Sequence, residues 1–183
     1  MYSTTILYTT QEFFYGVIFT GMKKAIEERH IELILLDIRS TYNVGAMFRT
    51  ADAVGVSRIT LAGITPAPLD RFGRPRADIA KSALGSEMAM PWKAVANIVS
   101  HLTKLKKKGY QIIAIEQSKD SIDYKKITAA GNVAVIMGNE VGGIPPKILK
   151  KCDIIAEIPM RGMKESLNVS VSCGIALFRM LDK

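Results

Sequence analysis

A single α/β domain on a mostly parallel sheet is the fold that the sequence predicts, from chain length, strand composition and the alternation of elements. At 183 residues with 48% apolar side chains, the chain can bury one sizeable core but is too short for two ordinary domains. Residues 32–38, 110–116 and 153–158, and the VAVIM run from 133, are near-continuous apolar stretches, the pattern of parallel strands covered on both faces. Helix-compatible segments lie between them, so the order reads as repeated strand–helix–strand units.

Taken in order, residues 1–21 have no clear period and are expected to dock on a partner or pack as an ordered tail, while residues 22–30 are charged and helix-compatible. The expected division is an N-terminal extension with a short helix over 1–31 and the main domain over 32–183. The strand at 32–38 runs into RSTYNVGAMFRTADAVGVSRITLAG (39–63). A polar turn at 40–43, a helix over about 44–54 and a strand at 58–61 make this a βαβ-like unit. Ligands of such sheets sit at the carboxyl ends of strands, where Arg39, Asn43 and Arg49 would project.

Residues 65–92 are rich in turn formers and basic groups, among them Pro66, Pro68, Arg71, Gly73, Arg74, Pro75 and Arg76. Such a loop either follows a phosphate backbone or is a plain surface connection. Residues 77–84 fit a short helix. The segment 93–108 predicts one amphipathic helix with Val95, Ile98, Val99, Leu102 and Leu105 inward. Its lysines Lys104, Lys106, Lys107 and Lys108 complement the dipole at its C-terminus, and Gly109 ends it before the strand at 110–116.

The stretch VAVIMGNEVGGIPP (133–146) predicts a buried strand, a glycine-rich turn at Gly138, Gly142 and Gly143, and a short helix begun by Pro145 and Pro146 and running through residue 151. It is neither G-x-G-x-x-G nor a G-K-[ST] loop, and Glu140 would repel a phosphate, so adenosine or a sulfonium fits better than a triphosphate. The last strand leads into EIPMRGMKESLNVSVSCGIALF (157–178), where Leu167, Val171, Ile175 and Phe178 recur at helical spacing. That spacing predicts a helix with this face buried and with Ser166 and Asn168 in its first turn. Unpaired backbone N–H groups there hold a carboxylate, a phosphate or a polarised oxygen, or the serine simply caps the helix.

Composition narrows the partners. With 25 Lys and Arg against 17 Asp and Glu, a formal charge of +8, attraction to a polyanion is expected, nucleic acid first. Cys152 and Cys173 are isolated and far in sequence from His30 and His101, so no zinc spacing and no disulfide framework arises. No metal is expected. Residues 6–20 are interrupted by Gln11 and Glu12 and lack a preceding basic residue, which suits neither a signal peptide nor a membrane span. A cytoplasmic protein without membrane attachment is the expectation.

Three stretches together resemble the SpoU (TrmH) branch of the SPOUT RNA methyltransferases, over roughly residues 32–181. The pattern N-x-G-x-x-x-R-T-A is matched by Asn43, Gly45, Arg49, Thr50 and Ala51, and G-N-E-x-x-G by Gly138, Asn139, Glu140 and Gly143. The I-P-M…S-L-N element is matched by Ile158, Pro159, Met160, Ser166, Leu167 and Asn168. Order and spacing agree as well.

The resemblance implies a SPOUT-type parallel sheet flanked by helices, with a C-terminal deep trefoil knot in roughly 133–181. It implies S-adenosyl-L-methionine held, largely by backbone groups, among Ile115, Gly138, Ile158, Met160, Ser166 and Leu167. A homodimer with the active site close to the subunit interface is implied, as is methyl transfer to a ribose 2′-hydroxyl of structured RNA. A ribose hydroxyl must lose its proton at the moment of attack. Arg49 occupies the family's position for this; an arginine stays protonated, so gripping the RNA phosphate and polarising the hydroxyl suits it, with direct proton abstraction as the alternative. Asn43, Glu140, Ser166 and Asn168 would orient Arg49, the ribose and the cofactor. Because the separate N-terminal RNA-binding domain of several ribosomal-RNA members is not found in this sequence, tRNA is expected over rRNA. The alternative is a non-catalytic RNA-binding or assembly protein on the same fold, against which the intact set of residues argues.

Overall fold

The computed structural model describes residues 29–129 and 131–181. The docking segment expected at 1–21 and residues 22–28 of the helix expected over 22–30 lie outside the described residues. Arg29 and His30, assigned to the end of that helix, are not helical. The Arg29 guanidinium instead donates to the carbonyls of Gly131 and Ala129, and His30 N–H donates to Asn132 Oδ1 at 3.0 Å.

The strands are β1 (Ile31–Leu36), β2 (Arg58–Ala62), β3 (Trp92–Val95), β4 (Gln111–Ile115), β5 (Ile122–Asp123), β6 (Val133–Met137) and β7 (Ile154–Glu157). The helices are α1 (Thr41–Val54), α2 (Ala77–Ala83), α3 (Ser86–Ala89), α4 (Ile98–Lys107), α5 (Pro146–Leu149) and α6 (Val169–Leu181), with a 3₁₀ turn at Tyr124–Lys126. One sheet of seven strands runs β3-β2-β1-β6-β4-β7-β5, and its pairings are parallel. Both faces are covered, as a parallel sheet requires. Val44, Met47, Phe48 and Ala51 of α1, Ile79 of α2 and Cys173, Ala176, Leu177 and Met180 of α6 fill one face. Leu102 and Leu105 of α4 and Ile148 of α5 fill the other.

Three expectations are corrected. The predicted helix over 93–108 is two elements, because the free edge of β2 recruits residues 92–95 as β3, with Ile59 aligned to Trp92. Asn97 then caps α4, accepting from Ser100 N–H at 3.0 Å, the capping that an asparagine ahead of an apolar-periodic segment favours. In the last helix the buried stripe is Cys173, Ala176, Leu177 and Met180, whereas Leu167, Val171 and Phe178 are 42%, 49% and 47% exposed. An almost wholly apolar helix carries more than one stripe at helical period, so spacing alone does not choose between them. The stripe that packs with Met47, Phe48 and Ala51 of α1 is the one carrying Cys173 and Ala176, with Gly174 at ordinary contact distance from Thr50. The short helix after the glycine turn is also briefer than 145–151, closing at Leu149.

The strand at 92–95 completes a buried polar cluster near the amino ends of the strands. Glu32 of β1, 3% exposed, accepts from Thr60 Oγ1 and His101 Nε2, each at 2.5 Å, with Lys93 Nζ at 3.8 Å. Burial alone would raise the Glu32 pKa, but hydrogen bonds from His101 and Thr60 and the charges of His101 and Lys93 bring it below its ordinary value. Glu32→Ala strands Thr60 and His101 in the core, and urea unfolding is expected to show a loss of about 3–5 kcal/mol. An unfolding free energy within about 0.5 kcal/mol of wild type, the range of an ordinary surface change, would mean the cluster contributes nothing.

Candidate functional site

The strand order reverses between β1 and β6, since β1 is followed by β2 on one side and pairs β6 on the other. A crevice at the carboxyl ends of strands is the usual ligand site at such a point. The chain leaves β1 through Asp37, whose φ of 56° is unusual for a residue with a side chain. Its Oδ1 accepts from Ile64 N–H at 3.0 Å and its carbonyl from Asn139 Nδ2 at 2.7 Å. The kink thus ties the ends of β1, β2 and β6 together.

Glu140 is the joint of the site. Its Oε2 accepts from Arg39 N–H at 3.0 Å; its Oε1 accepts from Ser40 N–H and from Asn43 Nδ2, each at 3.0 Å. The carboxylate therefore occupies the N-terminal end of α1, where orphan N–H groups and the helix dipole favour an anion. Burial raises its pKa, but the hydrogen bonds from Arg39, Asn43 and Ser40 outweigh that and hold it below the ordinary value of 4.5. Asn43 Oδ1 in turn accepts from Asn168 Nδ2 at 3.1 Å. Residues 125 apart in sequence are thus linked through one amide pair.

Asn168 precedes α6 rather than lying in it. Its Oδ1 accepts from Ser170 N–H at 2.8 Å and from Ser170 Oγ at 2.6 Å, so the asparagine, not Ser166, caps the helix. Ser166 lies ahead of the helix, exposed at the mouth of a cleft.

That cleft, of about 530 Å³, lies between the turn after β6, the ends of β4 and β7, and the segment leading into α6. Ile115, Gly138, Ile158, Met160, Ser166 and Leu167, the expected cofactor residues, all line it, as do Glu140 and Asn168. Asn43 reaches it through its bonds to those two. Arg49 does not line it. Two turns along α1 from Asn43, Arg49 is exposed and its side chain makes no hydrogen bond or ion pair among the described residues.

The glycines of the turn serve its folding. A Cβ on Gly138 would lie 2.8 Å from the Gly143 carbonyl carbon and the Ile144 nitrogen, and one on Gly143, whose φ is +62°, would run into the Glu116 carboxylate. Glu116 itself was missed by sequence reasoning. Its Oε2 accepts from Ile144 N–H at 2.8 Å and its Oε1 from Gln117 N–H at 2.9 Å, while Gln117 Nε2 donates to the Glu165 carbonyl at 2.7 Å. Asn139 Oδ1 accepts from Val141 and Gly142 N–H at 2.9 and 2.8 Å.

The lining contains Glu116, Glu140 and Glu157 but neither Lys nor Arg. Such a cleft suits a neutral or cationic ligand and disfavours a polyphosphate. Neither cysteine offers a nucleophile at neutral pH: burial pushes the Cys152 thiol up to about 11 and that of Cys173 up to about 12. Among the described residues no group of three or more His, Cys, Asp and Glu could hold a metal ion, and no helix is long and apolar enough to cross a membrane.

The chain matches the model of the SpoU rRNA Methylase family over residues 30–178. The 23S rRNA (guanosine-2′-O-)-methyltransferase RlmB of Coxiella burnetii is 33% identical over 160 residues, which are 87% of this chain and 61% of the relative. The RlmB protein of Neisseria meningitidis serogroup B is 36% identical over 152 residues, 83% and 58% of the two chains. The chain thus spans about three fifths of the length of these curated relatives. Among solved structures, an AdoMet-bound rRNA methyltransferase from Sinorhizobium meliloti aligns with a TM-score of 0.73 at 30% identity, covering 84% of this chain and 56% of that one. The TrmH/SpoU tRNA modifying enzyme of A. aeolicus aligns at 0.74 and 28% identity, covering 91% and 83%.

Proposed function

The chain belongs to the SpoU rRNA methylase family, and from that premise we propose that it transfers a methyl group from S-adenosylmethionine to a ribose 2′-hydroxyl of structured RNA. The observation that carries this reading is the convergence of three sequence-distant segments, around Asn43, Glu140 and Asn168, beside a cleft without Lys or Arg. The residues present fit the cofactor. A cleft of about 530 Å³ is in the size range for one such ligand. Ile115, Ile158 and Leu167 offer apolar surface to an adenine, and the carboxylates suit the sulfonium and ammonium charges. When bound, the cofactor supplies an electrophilic methyl carbon on a sulfonium.

The protein's own groups then position and polarise. Glu140, kept ionised by three donors, fixes the start of α1 against the glycine turn, so that the Asn43–Asn168 pair is held at the edge of the cleft. Ser166 presents its hydroxyl there. Arg49, left without a partner among the described residues, is free to hold an RNA phosphate and polarise the attacking hydroxyl as its proton leaves. Fixing the hydroxyl near the methyl is worth several kcal/mol, about 7 in good intramolecular cases.

Ribosomal RNA is the proposed substrate pool. The two RlmB relatives are named for 23S rRNA and the A. aeolicus neighbour for tRNA, so the names of the relatives favour rRNA and do not support the expected preference for tRNA. A homodimer belongs to the same proposal, supported by the exposed apolar stripe of Leu167, Val171 and Phe178 beside Asn168. The expected boundary between residues 31 and 32 moves ahead of β1, which includes Ile31, and a deep trefoil knot over roughly 133–181 belongs to the proposal as well. The latter is supported by β6 and β7 flanking β4 while the segments that follow them close on one cleft.

Calorimetric titration tests the cleft. S-adenosylmethionine is expected to bind with one site per chain and ATP to show no competing heat; tight ATP binding would contradict the charge argument.

A further inference from the structure

The loop between β2 and α2 ends in a tip more tightly built than a connector requires. Asp70 organises it: Oδ1 accepts from the N–H groups of Phe72 at 2.8 Å and Arg74 at 3.0 Å, and Oδ2 accepts from Arg74 Nε at 2.8 Å. Asp70 N–H donates to the Arg74 carbonyl and Gly73 N–H to the Asp70 carbonyl, at 2.9 and 3.0 Å. Gly73 takes the left-handed φ of +77° that closes the turn, and a bridge between Leu69 and Pro75 clamps its base. All this order displays one aromatic ring. Phe72 is 65% exposed, with the Arg71 guanidinium 4.7 Å and that of Arg74 5.0 Å from the ring centroid.

The two arginines differ. Arg74 is neutralised by Asp70 at 2.8 Å, so it braces the ring, whereas Arg71 has no carboxylate partner among the described residues. A planar base can take the place of Arg71 on the ring and leave that guanidinium free for the neighbouring phosphate. The tip also stands on the right side of the molecule. It follows the carboxyl end of β2, the same edge of the sheet that carries the cleft. Its stem is pinned by the Arg76–Asp78 pair at 2.9 Å, and Thr41, two residues before Asn43, lies near enough to Asp78 to help hold its carboxyl below the ordinary range, after the larger effect of Arg76.

From this we propose that Phe72 is a stacking platform for an unpaired base of the RNA substrate, with Arg71 gripping the adjoining phosphate. The proposal rests on RNA being the substrate and adds a base-reading element outside the methyl-transfer cleft. Base stacking on an aromatic side chain tolerates sequence but requires an unpaired base, so the tip discriminates single-stranded from duplex RNA.

The test is fluorescence anisotropy with end-labelled single-stranded RNA and a blunt duplex of equal length, for wild type, Phe72→Ala, Phe72→Trp and Arg71→Ala. Phe72→Ala is expected to weaken single-strand binding about tenfold, the scale of one stacked base, with duplex binding and the salt dependence unchanged. Phe72→Trp should retain wild-type affinity, and its added indole emission should be quenched by the single strand. Arg71→Ala should lower the slope of log K against log salt by about one. Equal losses for single strand and duplex, wild-type affinity in Phe72→Ala, or an unquenched indole would overturn the proposal. Methyl transfer, measured on the same proteins, separates the two readings. If wild type transfers methyl and Phe72→Ala keeps its KM for RNA, the stacking site alone falls. If wild type neither binds nor methylates RNA, the enzymatic reading falls and the stacking site with it.

Discussion

Arg49→Ala is expected to lower methyl transfer by about 10²–10³-fold, the scale of removing one preorganised transition-state donor, while S-adenosylmethionine affinity stays within about twofold of wild type. The structure motivates this separation. Arg49 is exposed on α1, lines no part of the cleft and pairs with no described residue, so its removal leaves neither a cavity nor an orphaned partner. Single-turnover transfer and calorimetry on the same preparation check both halves. A variant that lost cofactor affinity in proportion to its rate would place Arg49 in cofactor binding instead.

Glu140→Ala is expected to be as damaging by a different route. It leaves Arg39 N–H, Ser40 N–H and Asn43 Nδ2 without their acceptor, and with them the registration of α1 against the glycine turn and Asn168. Cofactor affinity and transfer rate should both fall, each by about 10-fold or more, because charge-assisted hydrogen bonds contribute about 1.5–3 kcal/mol apiece. Glu140→Gln should fall between the two, since its carbonyl still accepts while its amide faces donors. The pH dependence has a definite sign. The folded-state pKa is held below 4.5, so the carboxylate's contribution to stability is complete above about pH 4.5 and is lost as pH falls through the folded value. Thermal unfolding from pH 7 down to pH 3 should show this acid-side loss in wild type and a shallower one in Glu140→Ala. Parallel profiles would mean that the carboxylate carries no such linkage.

The legible parts of this protein were those written in local pattern. The buried strands around Leu33, Ile113 and Val135 announced themselves as apolar runs because both faces of the sheet are covered, and motif spacing brought out Asn43, Glu140 and Asn168. The helix faces were less legible. The stripe through Leu167, Val171 and Phe178 repeats as regularly as the buried one through Cys173, Ala176 and Leu177, and only the packing of the second against α1 in the folded chain separates them. Residues 92–95 became a strand because β2 had an unpaired edge, which is a property of the assembled sheet. Glu116 was hidden for a related reason. Its role is to accept from the Ile144 backbone 28 residues away, and no short-range signal marks a carboxylate for that task.

Transfer of tritiated methyl from S-adenosylmethionine to deproteinised ribosomal RNA, followed by nuclease digestion and nucleoside chromatography, tests the central claim most directly. The account predicts label in a 2′-O-methylnucleoside, lost in Arg49→Ala. Label on a base, or no transfer to ribosomal or transfer RNA by a protein that binds the cofactor, would contradict it.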